Sequence, residues 1–133
     1  IEKRLLRKEG IWMELRQTLD TLGVDVDTTL HRFGGNEPLL ARFVRRFPQD
    51  ETYQTLKAVL AEPVWDLAQI ERLAHTLKGT SANLGFQILS DHCHELVQAI
   101  RAGETQPEKL QPLVDNISGE YEKIIAAIDA LGQ

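Results

Sequence analysis

Residues Leu73 to Gly85 read Leu-Ala-His-Thr-Leu-Lys-Gly-Thr-Ser-Ala-Asn-Leu-Gly, and they pull in two directions. The apolar members keep helical time. With Leu67 and Ile70 upstream, Ala74, Leu77, Ser81 and Leu84 advance in alternating steps of three and four, which is the seam of a helix bundle. Yet a glycine, three hydroxyl residues and an asparagine stand where an exposed helix would carry Ala, Glu or Lys. Glycine inside a helix costs about 1 kcal/mol relative to alanine, so local stability does not account for Gly79.

Outward from that stretch the chain continues as helices. Asp66 is placed to cap this one at its start. After Gly85 comes a helix with Leu89, Cys93, Leu96, Val97 and Ile100 inward and Gly103 at its end. Pro107 suits the first turn of a last helix, in which Leu110, Leu113 or Val114, Ile117, Tyr121, Ile124, Ile128 and Leu131 repeat over successive heptads. Upstream, a helix over about 49 to 61 turns Leu56, Val59 and Leu60 to the core and closes at Glu62 and Pro63.

Before it, Asn36 caps a helix whose buried side is read as Leu39, Leu40, Phe43, Val44 and Phe47, with Pro48 ending the run. Arg42, Arg45 and Arg46 fall on its other side and read as a solvated face. Asp25 or Asp27 caps a short helix stopped by Gly34 and Gly35. Residues 2–20 form an amphipathic helix with Leu5, Trp12, Leu15 and Leu19 on one stripe. No segment alternates with a period of two, so the expected fold is all-α: an antiparallel four-helix bundle with additional N-terminal helices covering one end or side. Residues 1–20 are expected to be a connecting or covering helix, and residues 21–133 the bundle domain.

The totals narrow the function. A chain of 133 residues suits one domain with a single core. Its 42% hydrophobic and 26% charged residues argue against disorder. A net charge of -5 argues against broad binding to nucleic acid or to an anionic membrane. The single cysteine, Cys93, excludes an internal disulfide framework and fits a reducing compartment. No apolar run approaches the roughly 18 residues of a membrane span, and the first residues are too charged for a signal peptide. A cytoplasmic location is expected, free or as the cytoplasmic domain of a membrane-bound sensor kinase. The start at Ile1 and the charged helix over 2–20 point to a piece of a longer protein.

On the helix of the opening stretch His75 lies about 140° from the middle of the apolar seam, because each residue advances about 100°. Gly79, Ala68 and Ala82 fall within roughly 40° of it on the same reckoning, and Lys78 lies between that patch and the seam. The histidine therefore stands in a clearing, with a mobile positive charge one turn onward. Two readings remain open from the residues alone: an ordinary surface histidine, and an exposed imidazole with a function. For the second, the chemistry is specific. An imidazole in water is substantially neutral at pH 7, and its free nitrogen lone pair is a nucleophile. A nearby ammonium suits an anion that arrives on or leaves that nitrogen, and phosphoryl is the obvious candidate. With no nucleotide loop, base or metal cluster evident, the site reads as a phosphoryl carrier rather than an independent catalyst.

The run Ala-His-Thr-Leu-Lys-Gly-Thr-Ser-Ala-Asn-Leu-Gly at 74–85 resembles the signature of histidine-containing phosphotransfer (HPt) domains, the helical modules of multistep two-component phosphorelays. The resemblance extends over about residues 22 to 131. It takes in Gly23-Val24-Asp25 with Leu30, Arg32-Phe33-Gly34-Gly35, Leu39-Leu40, Phe43 to Phe47, then Leu89, Cys93, Leu96 and Arg101-Ala102-Gly103. It implies that His75 accepts phosphate from the aspartyl phosphate of a response-regulator receiver domain and passes it to another. Lys78 would steady the phosphoryl group. Gly79, Ala68, Ala82 and Phe86 would form a docking surface for the receiver, which would bring its own Mg²⁺; the chain itself would need no cofactor. Further implied partners are a hybrid sensor histidine kinase but no nucleic acid, and the isolated domain is expected to be a monomer. One position departs from the pattern. Where many members carry Glu or Gln able to bond the histidine ring, this chain has Val97, with Gln98 next to it. Two alternatives accompany the relay reading: a non-catalytic docking module for a receiver or kinase, and the phospho-accepting domain of a chemotaxis-type kinase.

His92-Cys93-His94-Glu95 invites a metal reading. Two histidines two residues apart on a helix lie about 200° from one another, so they cannot share an ion from the same helix, and Cys93 falls on the core stripe. No metal site is expected.

Overall fold

The computed structural model describes residues 2–132, with side chains from Arg7 onward, so Leu5 of the expected N-terminal stripe lies outside the described residues. The described residues form seven α-helices and no strand: α1 Glu2–Thr21, α2 Val26–Arg32, α3 Glu37–Arg46, α4 Glu51–Leu60, α5 Leu67–Asn83, α6 Gln87–Arg101 and α7 Pro107–Asp129. Helices α4 to α7 follow one another antiparallel through short connections, and the three N-terminal helices pack beside them, as the sequence pattern implies. No described helix is long and apolar enough to cross a membrane.

Side-chain caps set the helix starts. The carboxylate or amide oxygen of Asp25 accepts from the Thr28 N–H at 3.1 Å, Asn36 from Leu39 at 3.0 Å, Asp50 from Thr52 at 2.8 Å and Asp66 from Gln69 at 3.2 Å. Each satisfies a backbone donor that the first turn cannot, worth about 1 kcal/mol. The bond from Thr28 also holds the Asp25 carboxyl below the usual carboxylate range.

The seam of α5 is buried as its spacing requires: Ile70, Ala74, Leu77, Ser81 and Leu84 are all in the core. Leu89, Cys93, Leu96 and Val97 of α6 and Leu110, Val114, Ile117, Tyr121, Ile124 and Ile128 of α7 meet them there. Aromatic stacking closes the bundle between its first and last helices. The rings of Tyr53 on α4 and Tyr121 on α7 lie 3.7 Å apart and nearly parallel. Phe47, in a one-turn 3-10 segment Phe47–Gln49 that Pro48 forces after α3, packs against both Tyr121 and Phe86.

Two features of the N-terminal part depart from simple periodicity. Phe43, expected on the buried side of α3, is 43% exposed; it lies at the edge of the apolar face and tilts against Phe33 instead. In α1, Leu15 and Leu19 are fully buried, while Arg7 to Gly10 are exposed.

The turn between α5 and α6 is one place where the N-terminal helices are fastened. Gly85 sits at φ +84°, and a side-chain carbon there would overlap Thr29 Oγ1 and lie 2.7 Å from Val24 Cγ1. Alongside, the Arg32 guanidinium donates to the Ala82 carbonyl at 3.0 Å, placing a positive charge at the carbonyl end of α5. Gly85→Ala combines left-handed backbone strain with overpacking, and it is expected to lower stability by about 2–4 kcal/mol, read as a fall in the urea midpoint.

Candidate functional site

The core side of α5 fixes its outer side. Ala74 and Leu77 are buried, so His75 between them turns to solvent and is exposed, as are Ala68 and Gly79; Ala82 is half-buried. Nothing lies within 4 Å of where a Cβ on Gly79 would sit. Packing within the chain therefore gives no reason for a glycine in mid-helix, and the clearing around His75 is open to whatever approaches from outside.

The hydroxyl residues that looked out of place now have partners. Ser81, fully buried in the seam, donates to the Leu77 carbonyl at 2.7 Å and to the Lys78 carbonyl at 3.1 Å. Thr76 and Thr80 bond back to the carbonyls of Arg72 and Thr76, one turn earlier. From α6, the Ser90 hydroxyl also donates to the Lys78 carbonyl, at 3.1 Å. The main chain at Lys78 is thus tied both within α5 and across to α6. The Lys78 side chain is half-buried on the flank facing α6, and its Nζ lies 3.5 Å from His94 Nδ1.

Of the expected site residues, His75, Lys78, Gly79, Ala68 and Ala82 share this flank and outer face of α5. Phe86 does not join them. It is 2% exposed, because the reversal at Gly85 tucks its ring under the bundle with the Phe47 ring 5.2 Å away, so it supports the turn and offers nothing to a docking partner. Val97 is fully buried, which assigns its apolar character to the core. Among the described residues no side chain hydrogen-bonds the His75 ring; Gln98 points to solvent.

A shallow groove beside Gly79 escaped the sequence reading. Thr80 and Asn83 of α5 form one wall, and Phe43, Arg46 and Asp50 form the other. The exposed ring of Phe43 and the charge of Arg46 flank the clearing. The cluster of Arg42, Arg45 and Arg46 carried a hint of this, but which arginine faces α5 depends on how α3 packs.

The residues of the metal-like run diverge. Cys93 is fully buried, and burial pushes its thiol up to about 12, only partly offset by the Lys78 charge; such a thiol is unreactive. His94 is exposed beside Lys78, whereas His92 keeps its Nδ1 buried without a hydrogen-bond partner. Among the described residues no group of three His, Cys, Asp or Glu is placed to hold a metal ion.

A helical bundle that turns the His75 imidazole outward from α5, with the Lys78 ammonium on the adjoining flank and open space at Gly79, presents a histidine rather than enclosing one. The Hpt domain family model matches residues 39–132, and the chain belongs to that family. Membership implies histidine phosphotransfer in phosphorelays, in which Hpt domains interact with receiver domains. No curated protein and no solved structure gave a significant match.

Because space around Gly79 is free, Gly79→Ala is expected to stabilise the isolated domain by about 1 kcal/mol, measured by urea unfolding. A loss of stability would mean that the glycine serves the fold after all.

Proposed function

We propose that the domain relays a phosphoryl group between receiver aspartates, with His75 as the carrier. The Nε2 lone pair attacks phosphorus, the bond from phosphorus to the aspartyl oxygen breaks, and the carboxylate leaves with its electron pair; the reverse sequence discharges the group to a second receiver. Attack through the Nε2 lone pair leaves the ring proton on Nδ1, so no proton need be transferred in this step. Lys78 offsets the charge of the phosphoryl oxygens as they settle on the imidazole. The receiver supplies Mg²⁺ and the acidic side of the interface.

The observation that carries this reading is the exposed His75 in an outer face kept low by Gly79, with Lys78 on the adjoining flank. Gly79, Ala68 and Ala82 let the receiver's loops approach, and the groove holding Phe43 and Arg46 extends the contact with an apolar ring and a positive charge suited to an acidic partner.

Phosphorylated receiver mixed with the domain is expected to transfer acid-labile label to wild type and none to His75→Gln; equal labelling of the two proteins would end the proposal. Lys78→Ala is expected to slow transfer about tenfold with an unchanged unfolding midpoint, since its charged end lies outside the core. Gly79→Ala should lose receiver affinity while gaining stability.

A further inference from the structure

We infer that His94 is a positioning residue for the phosphoryl transfer: its imidazole holds the Lys78 ammonium at the crevice between α5 and α6, so that the charge is in place when a phosphoryl group reaches His75. The inference rests on the carrier reading above and concerns a residue on a different helix.

The arrangement is built from the main chain outward. Ser90 on α6 donates to the Lys78 carbonyl at 3.1 Å, and this bond sets the register of α6 against α5. His94 comes one turn after Ser90 on the same helix, so it lies across from the Lys78 side chain, whose Nζ is 3.5 Å from its Nδ1. Further along the pair of helices, the ion pair of Arg101 with Glu71 keeps the same register. An ammonium can only donate, so in this pairing Lys78 is the donor and His94 Nδ1 the acceptor.

A free lysine side chain samples many rotamers, and its ordering on binding an anion costs up to about 2 kcal/mol. An imidazole acceptor beside the ammonium removes part of that cost in advance. It is also a neutral, weaker partner than a phosphoryl oxygen, so Lys78 can transfer its hydrogen bond when the anion arrives. His94 thus acts through Lys78 and need not touch the phosphoryl group.

The test is a double-mutant cycle read in phosphotransfer from a phosphorylated receiver to His75. His94→Ala is expected to slow transfer about threefold to fivefold. His94→Asn, which keeps an acceptor close to the place of Nδ1, should recover most of that loss. In a Lys78→Ala background, removing His94 should change nothing further. A wild-type or faster rate for His94→Ala, or an equal slowing with and without Lys78, overturns the inference. Nitrogen NMR gives a readout that does not depend on transfer. The His94 ring should show a larger Nε2–H fraction in wild type than in Lys78→Ala, and an unchanged tautomer ratio overturns the pairing. If wild type takes up no phosphoryl group, the carrier reading fails, while the NMR result still decides whether His94 and Lys78 are paired.

Discussion

The burial of Ala74 and Leu77 against α6 and its neighbours determines where His75 stands. A helix turns about 100° per residue, so a side chain between two core positions three apart is carried to the outer face. Everything at the site follows from that constraint. Leu77 draws the helix onto the bundle, and Lys78, the next residue, emerges on the flank facing α6. Gly79 then returns to the same side as His75. The core contacts of α5 lie on the side opposite the His75 ring, through Ile70, Ala74, Leu77 and Ser81.

Hydroxyl groups complete that arrangement. Ser81 occupies a seam position that an apolar residue could fill, yet its buried hydroxyl is satisfied twice within α5. Together with Ser90 it converges on the Lys78 carbonyl, so the main chain is anchored one turn from the histidine by side chains of two helices. Apolar packing alone is non-directional and tolerates small rotations of one helix on another; bonds to one carbonyl define the rotation.

The fold was legible wherever the determining interactions are local. Caps at Asn36 and Asp66, a cap at Asp25 or Asp27, stops at Gly34 and Gly103, and the repeat along α7 are all set by neighbours within a turn or two. Reading failed where tertiary packing decides. Phe43 has the spacing of a core residue but stands at the margin, whereas Phe86 follows a turn and goes inward because Gly85 reverses the chain over Thr29 and Val24. That His75 and Gly79 share the outer face of α5, with Lys78 on its flank, was visible from helical geometry. The proximity of His94 was not, because the register between two helices depends on Ser90 and on the length of the intervening turn.

On the carrier reading proposed above, the openness of the face around His75 has a kinetic meaning. One ring on one surface can meet only one partner at a time, so donor and acceptor must alternate and no three-protein complex forms during exchange. An abundant acceptor already discharged would occupy the same surface and delay reloading. On the same reading, none of the described residues encloses the carried group, so its lifetime becomes a contest between hydrolysis in water and the arrival of the next partner. Flux through such a module is then governed by encounter frequency and residence time, quantities set in the cell by how much of each partner is present.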